Sequence, residues 1–79
     1  MLAPLESVPP ARRAVLEDTL EAWLAHHGER AQVAAALTVH PQTVSYRLAR
    51  LAELLGGALQ DPQSRLALAL ALAGRPTRS

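Results

Sequence analysis

The feature that most constrains this chain is a pair of helical segments in residues 30–55, separated by a very short joint. The first segment, Arg30–Leu37, is short and rich in alanine. The second begins at His40 and Pro41, because histidine can cap a helix and proline fits the first helical position, where its missing N–H would have no partner. The sequence therefore predicts two helices, the second at about residues 41–55, joined by a tight turn.

The second helix of the pair has one apolar face. Its apolar residues recur at steps of four and three positions, which aligns them along one side of an α-helix. These residues are Val44, Leu48, Leu51 and Leu55. The other side carries Gln42, Tyr46, Ala49, Arg50 and Glu53, with Thr43 and Arg47 at its edge. A helix with an apolar back and a front of Gln, Thr, Tyr and Arg side chains is a candidate for reading the major groove of DNA.

The joint between the two helices fits a helix-turn-helix. Ala34 supplies a small residue where the helices cross, and Leu37 and Val39 supply apolar residues three and five positions later. Thr38 stands where many such units have glycine. Because threonine is strained at positive φ, we expect this turn to adopt another geometry.

Composition limits the chain to one small helical domain. It has 79 residues and no cysteine, and its apolar content is mostly Ala and Leu, which favours helices and excludes disulfides and thiolate zinc sites. We expect an all-α fold, a small bundle of about four helices containing the helix-turn-helix. The expected division is a linker or arm at residues 1–9, the domain at 10–73 and a disordered tail at 74–79.

Helices are expected on both sides of the pair. The first spans about residues 10–27, and Gly28 is placed to end it as the residue after the cap. Its buried face should comprise Leu16, Leu20, Trp23, Leu24 and His27. Three residues of the arm can lie against the core: Leu2, Leu5 and Val8. After the stop at Gly56 and Gly57, an Asp61-Pro62 cap opens a last helix that ends at about Ala73.

The last helix alternates Leu and Ala, which puts leucines on two sides. Leu66 and Leu70 share one face, and Leu68 and Leu72 share the nearly opposite one. A single core covers only one of these faces, so the leucines are candidates for contact with a second copy of the domain, as a homodimer, or with an upstream sensor domain. The alternative is that the first helix wraps far enough around to bury both faces.

The charges are segregated along the chain. The net charge is only +1, but residues 14–29 contain four acids and no base, whereas residues 30–52 contain three arginines and no acid. The positive charge therefore lies on the helix pair, where a phosphate backbone would need it.

Other classes of function find little support in the sequence. Paired carboxylates, a nucleophile with its base and a phosphate-cradling glycine loop are all missing, so we expect no enzyme activity and no cofactor. His26 and His27 point about 100° apart on a helix, which makes them a poor metal pair. No signal peptide or membrane span is visible, and we expect a cytoplasmic protein without a membrane partner.

Four runs of residues carry a resemblance to a known family: TLEAWL at 19–24, AAALTVH at 34–40, TVSYRL at 43–48 and DPQSRLAL at 61–68. The chain resembles the C-terminal helix-turn-helix domain of PucR-like bacterial transcriptional regulators, the group that includes the sugar-diacid regulators. Gln42 stands where that family usually has asparagine. The resemblance covers nearly all of residues 16–72 and implies a DNA-binding output domain of a longer chain whose upstream domains sense a signal.

The residues expected to contact double-stranded DNA lie on the helix pair. They are Gln42, Thr43, Ser45, Tyr46, Arg47, Arg50 and Gln32. Gln42 lies in the first turn and is expected to contact a base, while Arg47 and Arg50 neutralise phosphates. The alternatives are that Thr43 only caps its helix, that Tyr46 packs on the helix, and that the arginines are simply solvated.

The sequence thus predicts sequence-specific DNA binding by a dimer. One copy offers about two or three phosphate contacts, too few for tight binding at physiological salt, and two copies spaced by one turn of DNA would double that number. The alternative is a helical interaction or dimerisation module that binds through its leucine faces without touching DNA. Salt dependence distinguishes the two, because only phosphate binding weakens steeply with salt.

Overall fold

The computed structural model describes residues 2–74 and contains four α-helices and two 3₁₀ helices. The α-helices are α1 (Pro10–Ala25), α2 (Arg30–Leu37), α3 (Pro41–Leu55) and α4 (Pro62–Ala73); the 3₁₀ helices are Ala3–Ser7 and Gly56–Gln60. No strand occurs in this part of the chain. The predicted all-α bundle of about four helices is therefore confirmed, and the bounds of α2 and α3 are those expected from the sequence.

The core consists of aliphatic side chains from every element. Its buried residues are Leu5, Val8, Leu16, Leu20, Val33, Ala34, Val44, Leu48, Leu51, Leu59, Leu68 and Leu72. α1 contacts α2, α3 and α4, whereas α4 contacts only α1 and the second 3₁₀ helix among the described elements. α1 is thus the central helix, and α4 packs away from the helix pair.

The end of α1 corrects the prediction for His27 and Gly28. The N–H of Gly28 donates to the carbonyl of Trp23 at 3.0 Å, and that of His27 donates to Leu24 at 3.4 Å. This pair of bonds is a Schellman motif, and His27 (φ 53°) takes the left-handed position that we had expected for Gly28. The expectation that His27 shares the buried face was wrong, because it lies beyond α1 and is exposed. Trp23 is half-buried and packs against the core, as expected.

The turn after α2 also differs from the prediction. Thr38 has φ 57° and ψ 49°, so the expectation that threonine would force another geometry was wrong. The N–H of Val39 donates to Ala34 at 3.0 Å and that of Thr38 to Ala35 at 3.2 Å, which requires the left-handed conformation at Thr38. Left-handed backbone costs about 1–2 kcal/mol for a residue with a Cβ atom. The capping bonds and the packing of Val39 against the core offset this cost.

The predicted caps of α3 and α4 are confirmed. Nδ1 of His40 accepts a hydrogen bond from the N–H of Gln42 at 3.1 Å. Oδ2 of Asp61 accepts from the N–H of Ser64 at 2.9 Å and from its hydroxyl at 2.7 Å. These two bonds lower the pKa of Asp61 below its ordinary value of 3.8, because they stabilise the carboxylate.

The N-terminal segment packs on the bundle. Leu5 and Val8 are buried and Leu2 is half-buried, as expected for side chains able to lie against the core. One Nη of Arg13 donates to the carbonyls of Glu6 at 3.2 Å and Val8 at 3.1 Å, which holds the end of the first 3₁₀ helix against α1. The division into an arm, a domain and a tail stays a prediction, and the tail beyond Gly74 lies outside the described residues.

The two leucine faces of α4 have different surroundings. Leu68 and Leu72 are in the core, whereas Leu66 is 63% and Leu70 is 66% exposed. α1 therefore covers one face only, and the alternative in which it buries both does not occur in this chain. None of the helices in residues 2–74 has the length and apolar character needed to cross a membrane.

Candidate nucleic-acid interface

α3 is held by its apolar face and presents its polar face to solvent. Val44, Leu48 and Leu51 are buried and Leu55 is half-buried against the core. All five residues predicted for the other side are exposed: Gln42, Tyr46, Ala49, Arg50 and Glu53. Thr43 and Arg47 are half-buried at the edge of this surface. The predicted division of α3 into a buried and an exposed face is thus confirmed.

α2 packs directly against α3. Val33 and Ala34 are buried, and Leu37 and Val39 are half-buried against the core. The small side chain of Ala34 allows the two helices to pack closely where they cross. The helix pair therefore has the apolar joint that its sequence predicts.

Arg47 links α3 to the central helix. Its Nη1 lies 3.4 Å from the hydroxyl oxygen of Thr19, to which it donates. Thr19 is fully buried, and its own hydroxyl donates to the carbonyl of Val15 at 2.9 Å. One Nη of Arg47 thus has a hydrogen-bond partner inside the bundle, at the long end of the hydrogen-bond range.

Arg50 lies on the open part of the same surface. Its Nη1 forms an ion pair with Oε2 of Glu53 at 3.1 Å, and the two side chains are 47% and 68% exposed. Exposed pairs of this kind contribute only about 0–1 kcal/mol. A phosphate can therefore displace Glu53 at small cost.

The remaining predicted contact residues fall into two groups. Gln42 and Tyr46 are exposed, the latter by 74%, and Ser45 is half-buried on the same helix. Gln32 is exposed on α2, where its Oε1 lies 3.2 Å from Nδ1 of His26. The structure therefore collects six of the seven predicted residues on α3 and places Gln32 on the neighbouring helix.

A groove of about 610 Å³ runs beside α3. One wall is formed by residues 7–9 and the first turns of α1, and the other by α3. The α3 wall consists of Thr43, Tyr46, Arg47 and Arg50. Arg12, which is exposed in the first turn of α1, lines the opposite wall.

Arg12 was not among the contact residues predicted from the sequence. A signal was present, because two arginines in the first turn of a helix, Arg12 and Arg13, oppose the helix dipole. The presence of Arg13 in this first turn is explained by its hydrogen bonds to the N-terminal segment. Arg12 has no such structural explanation, and its position beside α3 follows only from the packing of α1.

His26 and His27 lie at the end of α1, and no group of three or more potential metal ligands occurs within residues 2–74.

Comparisons with known proteins match the sequence of this chain to a family. The family model for the PucR C-terminal helix-turn-helix domain matches residues 16–73. The chain is 41% identical over 76 residues to the "Uncharacterized protein in pkwA 5′region" of Thermomonospora curvata, which covers 96% of this chain and 42% of that protein.

Two named regulators are also similar. The purine catabolism regulatory protein of Bacillus subtilis (strain 168) is 44% identical over 54 residues, covering 68% of this chain and 10% of that protein. The transcriptional activator PmfR of Paenarthrobacter nicotinovorans is 40% identical over 65 residues, covering 82% of this chain and 14% of that protein. The chain thus spans less than half the length of these relatives. No solved structure gives a significant match. With the helix pair, its polar face and the family match in agreement, this chain belongs to the PucR C-terminal helix-turn-helix domain family.

Proposed function

We propose that this chain is the DNA-binding output domain of a bacterial transcriptional regulator and that α3 inserts into the major groove. The observation that carries the proposal is the two-sided environment of α3. Its apolar face is buried against α1 and α2, and its other face exposes an amide, a phenol and a guanidinium, on Gln42, Tyr46 and Arg50. These are the groups that bind base edges and phosphates.

The proposed roles follow from position along α3. Gln42 is in the first turn and exposed, and we propose that its amide binds adenine at the floor of the groove. Thr43 and Ser45 flank it and bind at the groove edges. Tyr46 donates its hydroxyl to a phosphate, and Arg50 leaves Glu53 to bind a phosphate or a guanine. Gln32 contacts the backbone where α2 crosses it.

Arg47 acts at the boundary between the core and DNA. Because Thr19 accepts from one Nη, the guanidinium is partly oriented before DNA binds. Its remaining N–H groups bind a phosphate with less loss of side-chain entropy than a free arginine would incur.

We propose further that two copies pair through the exposed leucines of α4. Leu66 and Leu70 form an apolar strip that the core leaves open, and α4 does not touch α2 or α3. Under this proposal the two recognition surfaces bind major grooves about 34 Å apart, which is one turn of DNA. The other candidate for this strip is an upstream sensor domain of a longer protein.

The test is binding of the chain to a randomised duplex pool at about 50 and 200 mM salt. We expect enrichment of a sequence motif, binding that weakens steeply with salt, and a large loss in Arg50→Gln. Arg65→Gln is the matched control, because Arg65 lies on α4 and does not line the groove beside α3.

A folded chain that binds no duplex at low salt, alone or fused to a dimerising tag, would contradict the proposal. The apolar strip on α4 would then support a helical interaction module instead.

A further inference from the structure

The basic surface beside α3 extends onto α1. Arg12 lines the same 610 Å³ groove as Arg47 and Arg50, so two separate elements bring three arginines to one groove. None of the described residues that line it is acidic. The groove therefore attracts an anion along its length, and not at one point only.

The wall that carries Arg12 is packed on the core and hydrogen-bonded to α1. Leu5 and Val8 are buried, and Arg13 is hydrogen-bonded to the carbonyls of Glu6 and Val8. Arg13 thus stabilises the N-terminal segment while its neighbour Arg12 faces solvent. Because this wall is already formed, an anion that binds Arg12 does not have to order it. The entropic cost of binding is therefore lower.

The groove has apolar as well as basic lining. Val15 is 40% exposed and Tyr46 is 74% exposed, and both line the groove with the arginines. A nucleic-acid backbone alternates charged phosphates with less polar sugars, and both surfaces are provided here. A small inorganic anion would use the arginines and leave the apolar lining exposed to water.

We propose that this groove binds the sugar–phosphate backbone of the DNA strand next to the major groove that α3 occupies, and that Arg12 is a phosphate ligand outside the helix-turn-helix. This inference rests on the proposed function. A backbone ligand carries no base information, so it strengthens binding to every sequence equally. One phosphate contact changes the slope of log K against log salt by about 0.9, which corresponds to about eightfold in affinity at 0.1 M salt.

The experiment measures fluorescence anisotropy with two labelled duplexes, one carrying the motif selected by the wild-type chain and one with that motif shuffled. Arg12→Gln is compared with Arg12→Lys and with Arg65→Gln from 50 to 200 mM salt. We expect Arg12→Gln to weaken binding to both duplexes by the same factor, about eightfold at 0.1 M salt, and to reduce the slope by about 0.9. Arg12→Lys should keep most of the slope, and Arg65→Gln should match the wild type.

Three results would overturn the inference. If the wild type binds DNA and Arg12→Gln has the same affinity and salt slope, Arg12 is not part of the interface. The proposed function is then unaffected. A loss confined to the selected duplex would make Arg12 a base-reading residue instead of a backbone ligand. Failure of the wild type to bind either duplex would overturn the inference together with the proposed function. Because Arg12 is exposed, circular dichroism should show the same helix content in all variants.

Discussion

Arg47 on α3 donates to the buried hydroxyl of Thr19 on α1, at 3.4 Å. This bond joins the surface proposed to contact DNA to the central helix of the bundle. Thr19 cannot itself reach DNA, because it is fully buried. We therefore predict that Thr19 affects DNA binding only through the orientation of Arg47, as a positioning residue.

Thr19→Val should therefore weaken DNA binding about fivefold, corresponding to a hydrogen bond worth about 1 kcal/mol. The free energy of unfolding should change by only about 1 kcal/mol, because valine has a similar shape. The affinity of Thr19→Val is measured alone and in an Arg47→Gln background. If Thr19 acts through Arg47, the substitution has no effect on affinity in that background; equal losses in both backgrounds would contradict the role.

The left-handed Thr38 predicts a stabilising substitution. Thr38→Gly should raise the free energy of unfolding by about 1 kcal/mol, because glycine adopts φ 57° without the Cβ clash. Urea unfolding followed by circular dichroism measures the change. Ala36→Gly is the control at an exposed, right-handed position of α2 and should destabilise by about 0.5–1 kcal/mol. Destabilisation by both substitutions would show that Thr38 is not strained.

The cap of α4 predicts a pH dependence. The pKa of Asp61 is lowered below 3.8 by its bonds to Ser64, so the ionised carboxylate stabilises the folded state above that pH. This contribution is lost as the pH falls through the folded-state pKa. Asp61→Asn keeps a capping oxygen and has no titration. The wild type should therefore unfold at a higher urea concentration than Asp61→Asn. This difference in urea midpoint should be smaller at about pH 3 than at about pH 5. An equal difference in urea midpoint at the two pH values would contradict the assignment of this pH dependence to Asp61.

The two faces of α4 should respond differently to truncation. Leu68→Ala removes a fully buried side chain and should lower the free energy of unfolding by about 2–5 kcal/mol. Leu66→Ala, at a position 63% exposed, should change it by less than about 0.5 kcal/mol in the monomer. Analytical ultracentrifugation of the double variant Leu66→Gln and Leu70→Gln then tests the proposed dimer. A dimer that survives both changes would place the interface elsewhere.

The ion pair on α3 predicts a variant with higher affinity. Glu53→Gln frees Arg50 and removes a negative charge beside the proposed phosphate contacts, so DNA binding should tighten about two- to fivefold. Glu21→Gln makes the same change in net charge on α1, where Glu21 lines a groove with α4 residues, and should have a smaller effect. Equal gains from both variants would indicate a general charge effect.

Most of the helix pair was predictable because its signals are local. The cap at His40, the proline after it and the spacing of Val44, Leu48 and Leu51 all lie within one helix, and each specifies the same boundaries or the same face. Such agreement between independent local signals makes a helix predictable from sequence.

The features that could not be predicted from the sequence depend on tertiary packing. Both sets of leucines on α4 have the same spacing, and only the position of α1 determines that Leu68 and Leu72 are the buried ones. Thr38 is left-handed because the turn must bring Val39 to the core, which outweighs the backbone preference of threonine. Arg12 is far in sequence from α3 and becomes part of its groove only when α1 packs.

Within residues 2–74, the two left-handed residues other than glycine, His27 and Thr38, lie on either side of α2. α2 has only eight residues, fewer than the roughly 12–15 that an isolated helix needs to be stable in water. It can therefore persist only while Val33 and Ala34 are buried by its neighbours. In folding, α2 and its turns should form together with the docking of α3, and the surface proposed to contact DNA should be acquired in one cooperative step.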